Sequence, residues 1–185
     1  RFKANTARTY RIPSFDELYY PNKGFARGNP DLVPEKSHNS DVGVEVNFDQ
    51  VFFLSAVRLS GSIFHNEVEE SIVWMVINTT TISPRNTGDA TVDGVELLFS
   101  ADLGPFLALS ANYTDLDATL DKTDADLPGR ADDETNVRLT LTPFAALKLV
   151  GELHEVGDIS VSEAGNVTVP SRTTYDASVA VNLSS

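Results

Sequence analysis

The apolar positions of this 185-residue chain recur at every second residue over most of its length. In residues 41–48, for example, Val42, Val44 and Val46 are separated by small or polar residues. A period of two places alternate side chains on opposite faces of a β-strand. The same alternation predicts eight strands, at residues 2–10, 41–48, 57–65, 93–102, 106–115, 135–142, 147–156 and 175–184.

The connections between these strands alternate in length. Three are tight turns, at residues 49–52, 103–105 and 143–144, and four are long, at residues 11–40, 66–90, 116–133 and 157–172. In an up-and-down meander, alternate connections lie at the same end of the sheet. The pattern therefore predicts an all-β antiparallel meander with short turns at one end and long loops at the other, as in outer-membrane barrels. No segment has a helical period, so we expect almost no helix.

Alternation alone leaves two environments open for the apolar face. A soluble β-sandwich buries this face between two sheets, whereas a membrane barrel turns it towards lipid and encloses the polar face. The predicted strands are longer than is usual in sandwiches, and their polar face is rich in Ser, Thr, Asn and charged residues. Both features favour transmembrane strands.

The number of strands does not decide whether the sheet closes into a barrel. The smallest outer-membrane barrels have eight strands, so the chain forms either a small closed barrel or one segment of a larger barrel. The sequence begins in mid-strand at Arg1, without the features of a signal peptide. We expect residues 1–185 to be a single barrel segment of a longer protein.

Composition and motif spacing exclude several functions. A net charge of −13 argues against a nucleic-acid partner, and the absence of cysteine excludes disulfides and cysteine zinc sites. His38, His65 and His154 do not have metal-ligand spacing. No catalytic constellation or resident cofactor is predicted, so we do not expect an enzyme.

The first long loop contains several prolines and is rich in aromatic residues. Each proline fixes its own φ and keeps the preceding residue out of the helical region, so no helix longer than a turn or two fits. Loops of this length are usually functional or disordered, and the aromatic content favours order. The candidate substrate contacts in this loop are Phe15, Tyr19, Tyr20 and Phe25.

The second long loop contains an apolar island at residues 71–77. We interpret it as an extra hairpin strand beyond the end of the main sheet, with Trp74 as a further candidate substrate contact.

The third long loop carries spaced carboxylates at Asp121, Asp124 and Asp126. Calcium prefers several oxygen ligands, so these residues are candidates for a cation site. Their spacing differs from that of an EF-hand, and a solvated acidic loop is the alternative interpretation.

The order of motifs around the first long loop resembles one protein family. The segments FDELYYP at residues 15–21, GNPDLVPEKS at 28–37 and VGVEV at 42–46 resemble the late barrel strands of TonB-dependent outer-membrane receptors. The resemblance extends more weakly to residues 94–97 and then to the strand pattern up to Ser185. Receptors of this family have larger barrels around an N-terminal plug, so the resemblance implies that the plug, the earlier strands and the final strands lie outside this sequence.

The resemblance implies a function in nutrient uptake at the bacterial outer membrane. Such receptors import ferric siderophores, haem or cobalamin, with energy supplied through the TonB complex by regions outside this chain. The expected partners are outer-membrane lipid, the nutrient chelate and the TonB complex, and some members bind calcium in extracellular loops. Two alternatives remain open, namely a structural or adhesive eight-stranded outer-membrane barrel and a soluble β-sandwich that binds carbohydrate or protein.

Overall fold

The computed structural model describes residues 1–162 and 167–182 and is dominated by one antiparallel sheet. The elements follow the chain as β1 (Phe2–Arg11), α1 (Phe15–Tyr19), β2 (Glu35–Val51), β3 (Leu54–Glu69), β4 (Ile72–Val76), β5 (Ile82–Asn86), β6 (Ala90–Leu103), β7 (Leu107–Leu120), β8 (Ala125–Asp126), β9 (Asp133–Phe144), β10 (Leu147–Val156), β11 (Ile159–Ser160), β12 (Thr168–Val169) and β13 (Arg172–Val181).

Eight long strands form the sheet in the order β1-β2-β3-β6-β7-β9-β10-β13, which confirms the predicted meander. Within the described residues the sheet is open, because β1 pairs only with β2 and β13 only with β10. The chain therefore does not form the small closed barrel that we considered. It does not form a sandwich either, because these strands make one continuous sheet instead of two packed layers.

The main strands extend further towards the long loops than the sequence predicts. β2 has 17 residues and begins at Glu35, where we expected residue 41, and β3 has 16 residues. The first residues of β2 are polar on both faces, so the period of two is invisible there. The short turns lie between β2 and β3, β6 and β7, and β9 and β10, as predicted. The predicted last strand residues, 183 and 184, lie outside the described part of the chain.

The two faces of the sheet differ as the alternation predicts. Val42, Ile63 and Val95 are direct cross-strand neighbours, so their side chains lie on the same face of the sheet. We call this face the outer face. Its apolar side chains continue across the sheet and are largely exposed. The band includes Phe2, Val42, Val44, Val46, Phe48, Leu59, Ile63, Val95, Leu97, Tyr113, Leu139, Leu141, Tyr175, Val179 and Val181.

The opposite face, which we call the inner face, is polar near the short turns. Glu45 accepts a hydrogen bond from Lys3 (Nζ–Oε2, 3.0 Å) and pairs with Arg58 (Nη2–Oε2, 3.3 Å). Further along the sheet, Arg138 pairs with Glu152 (Nη1–Oε1, 2.7 Å). These ion pairs connect neighbouring strands on the inner face.

A close cross-strand approach occurs where Phe64 lies opposite Gly94. A Cβ atom on Gly94 would lie 2.3 Å from Phe64 Cζ and 2.8 Å from the Asp115 carbonyl oxygen, so the phenyl ring occupies the space that a side chain would fill. The strand pairing runs through Gly61 and Gly151 without a shift in register. The register shifts instead between Ser55 and Arg58 and between Leu147 and Leu149.

A network of charged groups ties the first long loop to the sheet. Arg11 at the end of β1 donates hydrogen bonds from Nη1 to both carboxylate oxygens of Glu17 in α1 (3.0 and 3.1 Å), and from Nε to Glu35 in β2. Glu35 also accepts a hydrogen bond from the backbone N–H of Ile72, at the start of β4. Two loops are therefore fixed to the sheet through one arginine and two carboxylates.

The short helix α1 begins with a capping box. The Glu17 N–H donates to Ser14 Oγ (3.2 Å), and the Ser14 N–H donates to Glu17 Oε2 (2.7 Å). The side chain of each residue thus accepts a hydrogen bond from the backbone N–H of the other. This five-residue helix agrees with the limit that the prolines impose. Among the described residues, no helix is long and apolar enough to span a membrane.

The contact between Phe64 and Gly94 predicts a position-specific effect of adding one methyl group. Replacing Gly94 with alanine in the complete protein should lower the free energy of unfolding by about 1–3 kcal/mol, because the methyl group meets a ring and a backbone oxygen. Thermal unfolding followed by the heat-dependent gel mobility of the barrel measures the effect. Gly151→Ala is the matched control, since nothing lies within 4 Å of its added Cβ. Equal melting of the two variants would contradict the close packing.

The anchoring network predicts that the first loop loosens in acid. Burial raises the pKa of Glu17, but hydrogen bonds from Ser14 and Arg11 outweigh burial and hold that pKa below its ordinary value. The stabilisation by the ionised carboxylate is therefore complete above the ordinary glutamate pKa and is lost as the pH falls through the lowered one. We expect Glu17→Gln to weaken loop attachment at neutral pH by on the order of 1 kcal/mol.

Hydrogen–deuterium exchange of the peptide that contains α1 measures this loosening. Relative to the intrinsic exchange rate at each pH, the Glu17→Gln variant should be less protected at neutral pH and should lose little further protection in acid. Asp16→Asn is the control, because the Asp16 side chain is exposed in the first turn of the same helix. The network would be shown to be unimportant if both variants exchanged like the unchanged protein.

Candidate functional site

The long loops fold over the inner face of the sheet at its loop end. Leu127 is 2% exposed and packs against Ala90, Val92 and Leu120, which lie on the inner face. Val73 from β4 packs against the same cluster. The inner wall therefore changes from polar near the short turns to apolar beneath the loops, and the loops are held there by hydrophobic burial.

Backbone hydrogen bonds join these loops into one cap, which we define as residues 12–34, 70–89, 121–132 and 157–162. The first loop pairs with β5 through Arg27 N–H to Ile82 O (3.1 Å) and Ile82 N–H to Phe25 O (2.9 Å). The third loop is bonded to the fourth through Gly129 N–H to Ser160 O (2.7 Å). The second loop is bonded to the third through Asp121 N–H to Asp89 O (3.0 Å), so the cap is a connected surface instead of four independent loops.

A cavity of about 340 Å³ lies between the cap and the inner wall. Asn39 of β2 and Asn66 of β3 are direct cross-strand neighbours in its wall. Neither side chain has a hydrogen-bond partner among the described residues. The remaining lining mixes apolar groups with polar and charged ones, namely Phe64, Val68, Val92, Leu116, Leu127, Glu35, Ser37, Ser71 and Arg130.

Two of the predicted aromatic contacts meet on the cap. The rings of Tyr20 and Trp74 pack edge to face with their centroids 6.0 Å apart, and Lys23 Nζ lies 5.6 Å from the centroid of the Tyr20 ring. Trp74 belongs to β4, which confirms the predicted extra hairpin. Because side chains alternate along a strand, Trp74 points away from the face on which Val73 packs against the inner wall.

The other predicted aromatic residues lie apart from this pair. Phe15 and Tyr19 form a second pair on α1, with ring centroids 5.1 Å apart, and both are mostly exposed. Phe25 is also mostly exposed, beside β5. All five candidates therefore lie on the cap, but in three separate places.

The structure does not bring the predicted calcium ligands together. The side chain of Asp121 accepts a hydrogen bond from Thr91 Oγ1 (3.0 Å), while Asp124 lies in a turn and Asp126 in β8. In residues 1–162 and 167–182, no three histidine or acidic side chains form a group that could hold a metal. The calcium site stays a prediction, without a ligand set in this part of the chain.

A different group of carboxylates approaches Asp132 in the third loop. Desolvation, followed by the negative charges of Asp126 and Asp158, raises the pKa of the Asp132 carboxyl group. Desolvation is the larger cause, and the smaller contribution of repulsion indicates that Asp126 and Asp158 lie close to Asp132.

Three important positions in the cavity and its anchor were not predicted from the sequence. Asn39 falls in a stretch that we assigned to a loop, because its neighbours are polar on both faces. Arg11 and Glu35 are 24 residues apart and were not paired. One signal was available: a strand that continued back to residue 35 would place Glu35 opposite Arg11 and Lys36 opposite Glu69, giving two cross-strand pairs of opposite charge.

Comparison with curated proteins finds relatives among transporters. The chain is 32% identical over 97 residues to the vitamin B12 transporter BtuB of Vibrio vulnificus, covering 52% of this chain and 14% of the relative. It is 28% identical over 137 residues to the vitamin B12 transporter BtuB of Photobacterium profundum, covering 72% of this chain and 21% of the relative. The chain thus spans about a fifth or less of the length of these relatives.

Solved structures with the same fold are receptors and transporters. A variant of the ferric enterobactin receptor PfeA from Pseudomonas aeruginosa, in complex with enterobactin, superposes with a TM-score of 0.69 at 19% identity, over 99% of this chain and 31% of that one. The copper transporter OprC superposes with a TM-score of 0.72 at 18% identity, over 99% of this chain and 28% of that one. At these identities the likeness shows the fold alone.

The family model covers almost the whole chain. The model described as TonB dependent receptor-like, beta-barrel, matches residues 1–184. Proteins with this barrel lie in the outer membrane of Gram-negative bacteria. The alternating strands, the alternating turn lengths and this match lead to one conclusion: the chain belongs to the TonB-dependent receptor β-barrel family.

Proposed function

We propose that the receptor that carries this chain imports a scarce nutrient chelate across the outer membrane. The nutrient belongs to the class that includes cobalamin, haem and ferric siderophores. The chain supplies part of the barrel wall and of the substrate-facing loops, while regions outside it couple transport to the TonB complex.

One observation carries this proposal: the loops fold onto the inner face and enclose a polar and apolar cavity there. A purely structural barrel needs no such enclosure, because its stability comes from closure of the sheet and contact with lipid. The exposed aromatic side chains of the cap support the proposal, because they offer contact area to a ligand that comes from the medium. This arrangement supports recognition of a small molecule before its passage through the barrel.

We further propose that the outer face is the lipid contact of the receptor. Its side chains form an uninterrupted apolar band, and several remain more than half exposed in the isolated chain, as Ile63 is at 62%. In a bilayer these side chains would leave water, which stabilises the membrane-embedded state.

The decisive experiment is uptake by cells that depend on the complete receptor. Cells that express it should accumulate labelled vitamin B12 or ferric enterobactin, and deletion of TonB should abolish accumulation. Binding to the cell surface should persist without TonB, because binding precedes the energised step. Uptake that continues unchanged without TonB, or failure to bind any nutrient chelate offered, would overturn the proposal.

The exposed aromatic residues of the cap should contribute to the first contact with the nutrient. We expect the double variant Phe15→Ser and Tyr19→Ser to weaken binding about threefold to thirtyfold, as loss of aromatic contact area at an exposed surface does. Equilibrium binding of the labelled nutrient to the purified receptor measures the change.

Phe52→Ser is the matched control for this pair. Phe52 is 90% exposed in the turn between β2 and β3, at the opposite end of the sheet from the cap. Its replacement should leave nutrient affinity unchanged. If the control and the cap variant weakened binding equally, general damage to the barrel would explain the loss, and the aromatic residues would have no role in recognition.

A further inference from the structure

The asparagine pair in the cavity offers accessible carboxamide groups that have no hydrogen-bond partner among the described residues. Asn39 and Asn66 are directly opposite each other on β2 and β3, on the inner face and beneath the cap. Both residues are partly buried. Neither carboxamide forms a hydrogen bond to the other or to any described group, although each has two donor hydrogens and an acceptor oxygen.

The neighbouring polar groups of the same wall are already paired. Thr9 Oγ1 and Ser37 Oγ lie 2.6 Å apart, and Asp41 accepts a hydrogen bond from Asn5 (Nδ2–Oδ2, 2.9 Å). The two asparagines lie between these satisfied groups. Their hydrogen-bonding capacity is therefore directed into the cavity, where water or a ligand can meet it.

The formal charge that faces this cavity is small. Among the described residues of the lining, Glu35 is the only carboxylate, and it shares the positive charge of Arg11 with Glu17. Arg130 contributes one positive charge from the third loop and forms no ion pair within the described residues. The rest of the lining consists of hydroxyl, carboxamide and apolar groups.

We infer that Asn39 and Asn66 form a subsite for an uncharged substituent that carries amide or hydroxyl groups, on a ligand that is neutral or weakly charged. This inference rests on the proposed function and adds the chemical class of the nutrient. The two carboxamides donate to and accept from the substituent, and the Phe64 ring and Val92 contact its apolar part.

The same geometry disfavours a polyanionic chelate. Burying several negative charges requires a matching number of cations or donors, since unpaired buried charge costs far more than an unpaired neutral group. This cavity offers only Arg130. Ferric enterobactin, a polyanionic catecholate complex, would therefore lack partners here, whereas the carboxamide-rich periphery of vitamin B12 matches the asparagines.

The volume limits what enters the subsite. About 340 Å³ is at the lower end of the range for small-molecule pockets. The subsite therefore holds one edge of a large nutrient, and the rest of the molecule contacts other parts of the receptor. Removal of the two carboxamides should weaken binding without abolishing it.

The test compares two probes on the complete receptor, purified in detergent. The double variant Asn39→Leu and Asn66→Leu removes both carboxamides and keeps side chains of similar size. We expect it to bind vitamin B12 at least about tenfold more weakly, as the loss of about two hydrogen bonds predicts. The unchanged receptor should bind vitamin B12 more tightly than ferric enterobactin.

Asn112→Leu is the matched control. Asn112 also lies on the inner face, and its side chain has no hydrogen-bond partner in the described structure, but it faces a different cavity. Following the paired strands from Asn39, it lies six residue positions nearer the short turns, or about 20 Å along the strands. Its replacement should leave the affinity for vitamin B12 unchanged.

The outcomes separate this inference from the proposed function. If the receptor binds vitamin B12 and the double variant binds it equally well, the subsite is wrong and the function stands. Tighter binding of ferric enterobactin than of vitamin B12 would overturn the inferred chemical class of the nutrient, and the proposed function would still stand. If neither probe binds and cells accumulate no nutrient chelate, the proposed function itself fails.

Discussion

The interaction on which the substrate-facing part of this structure depends is the contact of Arg11 with two carboxylates. One guanidinium joins the end of β1 to α1 and to the start of β2, and Glu35 in turn holds the first residue of β4. A planar group with five donors can serve two carboxylates at once, which a lysine could not do with the same geometry. Without this group, the first two loops would be attached to the sheet mainly by apolar contacts and their own backbone pairing.

Strand length explains why the loops can reach the inner face at all. A membrane-spanning strand needs only about 9–11 residues, yet β2 has 17 and β3 has 16. The excess carries the wall beyond the apolar band, and only there does the inner face become apolar enough to hold Leu127 and Val73. The cavity lies at this transition, where a polar wall and an apolar cluster meet.

The sequence was sufficient to predict the sheet but not the cavity, and the reason is physical. Alternation is visible wherever the two faces meet different environments, so residues 93–102 and 147–156 were predicted close to their true bounds. Near the loops the first residues of β2 are polar on both faces, and the pattern that would identify the strand disappears there. Asn39 was therefore assigned to a loop, and the pairing of Arg11 with Glu35 depends on a register that only the extended strand provides.

The aromatic candidates show the same limit in another form. Prolines and aromatic residues indicated an ordered loop, and the hairpin around Trp74 was predicted from its apolar run. Which rings meet depends on how the first loop lies along β5, through the contacts of Phe25 and Arg27 with Ile82. A contact between distant segments produces no periodic pattern in the sequence of either segment.

The acidity of the chain and the near-neutrality of its cavity are complementary. On the cap, Asp126 and Asp158 lie close enough to Asp132 to raise the pKa of its carboxyl group further, beyond the larger effect of desolvation. At physiological ionic strength, their field extends over roughly 8 Å and acts on a ligand before it reaches the wall. For the subsite that we propose, these outer charges would act on the rate of approach and the inner carboxamides on the stability of the complex. Both would disfavour a polyanion, because Arg130 is the only cation among the described residues that line the cavity.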